Sequence, residues 1–232
     1  MDAVFATQFW ISLLEIIGVN IVLSGDNAVV IALAARSLPQ QQQRKAVVFG
    51  SIAAIVMRVI LTLFAVELLK LPYLKLIGSL ALLWIGIQLL VPQDEDGQDI
   101  ASKETLFSAI KTILVADLVM SIDNVIGVAA AAKGNVTLLV LGLAISIPLI
   151  IFGSSVMLRF MERFPVIVTL GAALLGYIAG EMAVGDSAIS PWIQANAHWI
   201  EQPAGICGAV LVVASGRWLV KRQTQRGDDR VV

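Results

Sequence analysis

Cysteine and histidine are almost absent from this sequence, which contains one of each, Cys207 and His198. A single cysteine inside an apolar run can build neither a disulfide framework nor a thiolate metal site. Charged residues are also scarce, at 14% of the chain, and the net charge is −1. Such a chain lacks the basic surface that nucleic-acid binding requires, so we expect no nucleic-acid partner.

Hydrophobic residues are in excess, at 58% of the 232 residues, with a mean hydropathy of +0.88. These values lie outside the range of soluble proteins, and the expected partner is the lipid bilayer. A chain of this length has room for about seven spans of roughly 20 residues. No lysine or arginine precedes Arg36, so the first apolar run lacks the basic segment of a cleaved signal peptide. We interpret that run as a retained span.

The apolar runs are continuous rather than alternating, which favours helices over the strands of a barrel. Backbone groups in lipid must also be hydrogen-bonded within their own segment, as they are in a helix. The predicted fold is therefore an all-α polytopic membrane protein with seven transmembrane helices, near residues 11–34, 46–69, 73–92, 106–132, 136–158, 165–184 and 204–221.

The distribution of lysine and arginine predicts the orientation of these spans. One side of the predicted bundle carries twelve of them, and the other side carries only Lys70, Lys75 and Lys133. Because the cytoplasmic side is the positive one, we expect the N-terminus outside and the C-terminus in the cytoplasm.

A loop predicted on the outer side, residues 185–203, carries Trp192, Ile193, Trp199 and Ile200 at roughly helical spacing. This pattern predicts a short amphipathic helix that lies in the membrane interface. The lone His198 in the same loop is interpreted as a surface residue rather than a ligand.

Two stretches inside the apolar runs share one polar pattern, residues 20–27 and residues 117–124. Each begins with an amide or acid, has serine four residues later, and ends in Asp-Asn. A carboxylate at the centre of a membrane helix costs about 2.5–3.5 kcal/mol on insertion scales. Polar spots satisfied by hydrogen bonds between helices are one interpretation, but the repeated pattern favours a cation site.

The two stretches also mark an internal repeat. A shift of 97 residues aligns Asn20 with Asp117, Ser24 with Ser121, Asp26 with Asp123, and Asn27 with Asn124. Further on, the alignment continues at a shift of 93 residues. Each half then holds three spans, and an odd number makes the second half enter from the opposite side of the membrane. The predicted architecture is an inverted 3+3 repeat plus a C-terminal helix.

We therefore predict a single membrane domain over residues 1–232. Its parts are repeat one at about 8–92, an acidic cytoplasmic linker at 93–105, repeat two at about 106–184, the outer loop at 185–203 and the seventh helix at about 204–221. In this architecture a transported substrate binds near the midplane, at the interface between the repeats.

The candidate metal ligands are all oxygen donors: Asp26, Asn27, Asp117, Asp123, Asn124, Asn20, Ser24 and Ser121. Mg²⁺, Ca²⁺ and Mn²⁺ prefer such ligands, whereas Zn²⁺ and Cu⁺ prefer cysteine and histidine. Three carboxylates around a divalent ion leave one proton or one negative charge over, which is a route to proton exchange.

Helical geometry places Asn20, Ser24 and Asn27 on one face, but turns Asp26 roughly 120° away from it. Either two faces are used, or the backbone leaves helical geometry at the motif. Gly25 favours a break there. Ile122 occupies the equivalent position in the second motif and gives no such support.

Glu15 and Arg58 are two of the further charged residues in the predicted spans. Glu15 shares a face with Asp26 toward the outside and is a candidate accessory residue. Arg58 requires a counter-ion, for which we expect Asp26, Asp123 or Glu15. Its role is open between a structural tether and a resident cation that replaces an absent metal ion.

The paired Ser-x-Asp-Asn motifs, the seven spans and the short acidic linker resemble the TerC family of integral membrane proteins, in particular its YjbE-type members. The resemblance covers roughly residues 8–222 and implies manganese efflux. It also implies that Asp26, Asn27, Asp117, Asp123 and Asn124 are the functional acids and amides.

The leading hypothesis is a divalent-cation exporter of the cell membrane, with Mn²⁺ as the transported ion and no prosthetic group. We expect no enzymatic activity. The alternatives are an intramembrane aspartyl-type hydrolase, since Ser24-Gly25-Asp26 resembles half of such a motif, and a non-transporting subunit of a metal- or tellurite-resistance complex. The sequence leaves open the coupling ion and the oligomeric state, a homo-oligomer included.

Overall fold

The structure is a computed structural model that describes residues 2–22, 25–68, 71–91, 101–132 and 135–228. Every regular element within these ranges is helical. In chain order they are α1 (Asp2–Val22), α2 (Gly25–Ala35), α3 (Gln40–Leu63), α4 (Ala65–Leu68), α5 (Leu74–Leu90), α6 (Ala101–Ala132), α7 (Val136–Arg163), α8 (Val166–Val184), α9 (Ser190–Asn196), a 3₁₀ turn (His198–Ile200) and α10 (Glu201–Asp228).

Several of these helices are long and apolar enough to cross a membrane. Among the described residues four qualify alone: Gln40–Leu63, Val136–Arg163, Val166–Val184 and His198–Gln223. Phe9–Asn20 and Gly25–Ala35 qualify together as a bent pair. Helix α5 is apolar but shorter, at 17 residues, and α6 contains the predicted fourth span. The all-α membrane fold is thus confirmed, while the count of seven spans stays a prediction.

Three predicted boundaries differ from the described helices. The first span is two helices, since α1 ends at Val22 and α2 begins at Gly25, with axes 48° apart. The second span is interrupted by a turn at Phe64, between α3 and α4. The acidic linker is shorter than predicted because α6 already begins at Ala101. Residues 93–100 of that linker lie outside the described residues.

The chain divides into two compact units, and each takes helices from both predicted repeats. The first unit comprises Met1–Lys70 and Leu106–Arg159. Within it, Gly50 of α3 faces the side chain of Ile113 in α6, and a Cβ added at Gly50 would lie 2.8 Å from the Cδ1 atom of Ile113. Glycine therefore allows α3 and α6 to pack closely. The inverted relation of the repeats stays a prediction.

The second unit comprises Leu71–Thr105 and Phe160–Val232, and its long helices α5, α8 and α10 pack against one another. The α8·α10 contact is made by small residues: Gly176 lies against the backbone of Gly208, and Gly180 against the backbone of Ala204. Small residues let two helix backbones approach, which is how helices gain packing energy in lipid.

The predicted interfacial helix of the loop at 185–203 is present in part. Helix α9 covers seven residues, and the 3₁₀ turn follows after Ala197. Trp192 and Trp199 are exposed, as an interfacial position requires, but Ile193 is buried. The position of this loop relative to the membrane stays a prediction.

Candidate functional site

The centre of the first unit holds a buried arginine. Arg58 lies in α3 and its residue is only 1% exposed. The hydroxyl of Thr62, one turn later, donates a hydrogen bond of 2.7 Å to the backbone carbonyl of Arg58. This bond fixes the backbone locally, so the position of the guanidinium is decided by its own side-chain partners.

Those partners come from both polar motifs. The guanidinium Nη2 donates to Oδ1 of Asp117 at 2.6 Å, and Nη1 donates to Oδ1 of Asn20 at 2.8 Å. The Nε atom donates to the hydroxyl oxygen of Ser121 at 3.1 Å. Each of these nitrogens thus donates a hydrogen bond to a different residue. The planar, forked guanidinium of arginine makes this arrangement possible, and lysine lacks it.

Ser121 and Asp117 also contact each other. The hydroxyl of Ser121 donates to Oδ2 of Asp117 at 3.2 Å. The two residues are four apart in helix α6, so they lie on one face of it. Asn20, Asp117 and Ser121 are all buried. We call these three residues together with Arg58 the arginine cluster.

The described counter-ion of Arg58 is Asp117, an acid that the sequence analysis did not name for this role. The sequence analysis expected Asp26, Asp123 or Glu15, and the side chain of Asp123 lies outside the described residues. Glu15 is exposed. An α-helix of unknown tilt cannot show from its sequence which acid meets the arginine.

The first motif has a different backbone from the second. Asp26 lies in the first turn of α2, and its Oδ1 accepts a hydrogen bond of 2.8 Å from the backbone N–H of Asn27. A carboxylate at this position is stabilised by the positive end of the helix dipole. The axes of α1 and α2 are 48° apart, and residues 23–24 between them lie outside the described residues, whereas α6 is one continuous helix.

The remaining predicted ligands are only partly described. Asn27 is buried and Asn124 is half-buried. Ser24 and the side chain of Asp123 lie outside the described residues. Among the side chains that the structure does describe, no three of the acid, histidine and cysteine type gather around one point. The predicted trio includes Asp123, so that trio stays a prediction.

Two residues that the repeat alignment pairs also meet in the arginine cluster. Asn20 and Asp117, which the shift of 97 residues aligns, both bind the guanidinium of Arg58. Arg58 itself has no charged equivalent, because shifts of 93 to 97 residues lead to 151–155, an Ile-Phe-Gly-Ser-Ser stretch. The cluster therefore joins two equivalent positions of the repeats through an arginine that only the first repeat contains.

The sequence prediction missed one buried acid, Asp186 of the second unit. Its carboxylate accepts hydrogen bonds from the backbone N–H groups of Tyr73 at 3.0 Å, Leu76 at 3.1 Å and Ala188 at 2.8 Å. It thereby caps the N-terminus of α5. Asp186 and Tyr73, which precedes the helix that Asp186 caps, are 113 residues apart in the chain. No local capping pattern in the sequence therefore indicates this contact.

Comparison with known proteins agrees with a membrane protein. A family model described as "Integral membrane protein TerC family" matches residues 5–225. The "Uncharacterized membrane protein YjbE" of Bacillus subtilis is 46% identical over 79% of this chain and 84% of its own length. No solved structure matches the chain.

Two further B. subtilis membrane proteins are more distant. YceF is 27% identical over 69% of this chain, and YkoY is 24% identical over 79% of it. The matches span 66% of YceF and 63% of YkoY, just under two thirds of each relative.

Proposed function

This chain belongs to the TerC family of integral membrane proteins, and we propose from that premise that it exports a hard divalent cation, with Mn²⁺ as the preferred ion. The membrane is the cell membrane, with the N-terminus outside and the C-terminus in the cytoplasm. The family membership supports a transporter, and the ion, direction and orientation are our inference from the residues.

The arginine cluster carries this proposal. A cation, the guanidinium of Arg58, already lies among carboxylate, amide and hydroxyl oxygens contributed by both motifs. These are the ligand types that hard divalent ions prefer. A buried group of oxygen atoms that accommodates one cation has the right charge to accommodate another.

The substrate ion would be held by oxygen atoms of the two motifs: Asp26, Asn27, Asp117, Asp123, Asn124, Asn20, Ser24 and Ser121. Three carboxylates exceed the charge of one divalent ion by one. A carboxyl group that holds a proton in the ion-free site and loses it when the ion binds would couple export to proton exchange. Glu15, exposed and upstream of the first motif, is proposed as an accessory residue on the path.

Movement of the ion is proposed to follow alternating access, in which one group of helices rocks or gates around a midplane site. The broken first span supports this proposal, because interrupted helices are typical of substrate sites in transporters. The interruption between α1 and α2 occurs in the first motif itself.

Transport by purified protein in liposomes tests the proposal. Liposomes that contain the full chain should take up Mn²⁺ down a gradient, and uptake should fall to background in Asp117→Asn. Glu162→Gln, which alters an exposed acid of α7, is the matched control and should transport like the wild type. Absence of flux for Mn²⁺, Ca²⁺ and Mg²⁺ would contradict transport, and peptide cleavage by the same preparation would instead support the hydrolase alternative.

A further inference from the structure

We propose that Arg58 is a resident counter-cation that competes with the transported ion for Asp117, so that the two occupy this carboxylate in turn. The inference rests on the proposed function and goes beyond it, because it assigns to one residue the release of the ion. The starting observation is the 2.6 Å ion pair between Arg58 and Asp117.

The partners of Arg58 are the first support. Its side-chain hydrogen bonds include those to Asn20, Asp117 and Ser121, which are all predicted ligands of the ion. An oxygen lone pair that accepts a hydrogen bond from a guanidinium is not free to bind a metal ion at the same time. Binding of the ion through Asp117 Oδ1 therefore requires that the guanidinium withdraws.

The electrostatics of a buried acid give the second support. Asp117 is 5% exposed, and an unpaired carboxylate at such a site has a desolvation penalty of several kcal/mol. Without Arg58, release of the ion would leave that carboxylate alone in the membrane interior. The guanidinium replaces the lost charge, so the ion-free state is stabilised and the affinity for the ion is lowered.

The local structure of α3 gives the third support. The backbone carbonyl of Arg58 is held by the Thr62 hydroxyl, so the exchange can occur by rotation of the long side chain while the helix stays in place. A tether that only joined α3 to α6 would not need a bond to the first motif.

Mn²⁺ binding to the full chain in detergent, measured by titration calorimetry, tests this competition. Arg58→Gln removes the competing charge and should bind Mn²⁺ more tightly than the wild type by about tenfold or more. Arg58→Lys keeps a cation and should stay within about threefold of the wild type. Arg159→Gln, which alters an exposed arginine of α7, should leave the affinity unchanged.

Unfolding temperatures keep the inference testable where Arg58→Gln is unstable. Mn²⁺ should raise the Tm of Arg58→Gln more than it raises that of the wild type, since the ion then supplies the missing charge. An equal or smaller rise, or binding no tighter than that of the wild type, would overturn the inference while leaving the proposed export intact. No Mn²⁺ binding by the wild type and both Arg58 variants would overturn both.

Discussion

The guanidinium of Arg58 and the carboxylate of Asp117 form an ion pair of 2.6 Å, and both side chains are almost completely buried. Arg58 follows the first motif in the chain, and Asp117 opens the second, so the pair joins the two predicted repeats within one compact unit. Because each charge stabilises the other in a buried site, the pair makes definite predictions about stability as well as transport.

Removal of one member of the pair should destabilise the protein. We expect Asp117→Asn to lower the free energy of unfolding by about 3–5 kcal/mol, because it removes the carboxylate that pairs with the buried guanidinium of Arg58. Denaturant titration in detergent measures the loss. The double variant Arg58→Gln/Asp117→Asn, which buries no net charge, should recover much of it, and equal stability of the single variant and the wild type would contradict this reading of the cluster.

Neutralisation of the other two motif acids should act on transport rather than on stability. Asp26→Asn and Asp123→Asn should each reduce Mn²⁺ efflux to background, while the protein remains inserted. Removal of a charge that membrane insertion disfavours should leave stability unchanged or raise it. Cells that express either variant should accumulate Mn²⁺ on challenge; wild-type resistance of both would count against the assignment.

The oxygen ligands should favour Mn²⁺ over Mg²⁺. Mg²⁺ loses its water reluctantly and requires near-ideal octahedral geometry at about 2.0–2.1 Å, so a site that strips the hydration shell penalises it more. Competition binding on the purified chain measures this preference. Complete displacement of micromolar Mn²⁺ by millimolar Mg²⁺ would show that the site binds a hydrated ion instead.

The close contact of α8 and α10 should not tolerate a side chain at Gly208. A Cβ there would lie 3.0 Å from the carbonyl carbon of Gly176 and 3.1 Å from the backbone nitrogen of Gly180, and backbone atoms cannot move aside alone. We expect Gly208→Ala to lower the Tm. Gly18→Ala in α1, where a Cβ meets nothing within 4 Å, is the control and should raise stability by about 0.5–1 kcal/mol. An unchanged Tm in Gly208→Ala would mean that the helices can separate without loss.

The cap formed by Asp186 should depend on pH. Burial acts to raise the pKa of Asp186, but hydrogen bonds from the backbone N–H groups of Ala188, Leu76, Tyr73 and Lys75 outweigh it and lower the pKa from 3.8. A lowered pKa in the folded state means that the carboxylate stabilises the fold above pH 3.8, and that this contribution is lost as the pH falls through the folded-state value.

Asp186→Asn tests this cap, because it removes the charge but keeps one acceptor oxygen. The substitution should lower the free energy of unfolding by about 0.5–2 kcal/mol near neutral pH, in line with the loss of a helix cap. The difference in unfolding free energy between this variant and the wild type should be constant above pH 3.8 and should shrink below that pH. Glu201→Gln, near the exposed His198, serves as the control. If the difference in unfolding free energy between Asp186→Asn and the wild type grew as the pH fell, it would contradict the lowered pKa of Asp186.

The sequence alone determined the class of the protein and most of its helices. Long continuous apolar runs form helices in lipid, since every backbone group must be hydrogen-bonded within its own segment. The spacing of Asp117 and Ser121 also determined that they share a face, because helical periodicity is local. Gly25 marked the interruption of the first span for a similarly local reason.

Only the tertiary structure decided which residues meet. The sequence offered Asp26, Asp123 and Glu15 as counter-ions for Arg58, and only the packing of α3 against α6 showed that Asp117 meets it. Nothing near Asp186 in the sequence indicated that it caps α5, because that contact joins segments separated by four helices. Pairings of this kind depend on the rotation and depth of whole helices, which are fixed by the summed packing of many side chains and by no single motif.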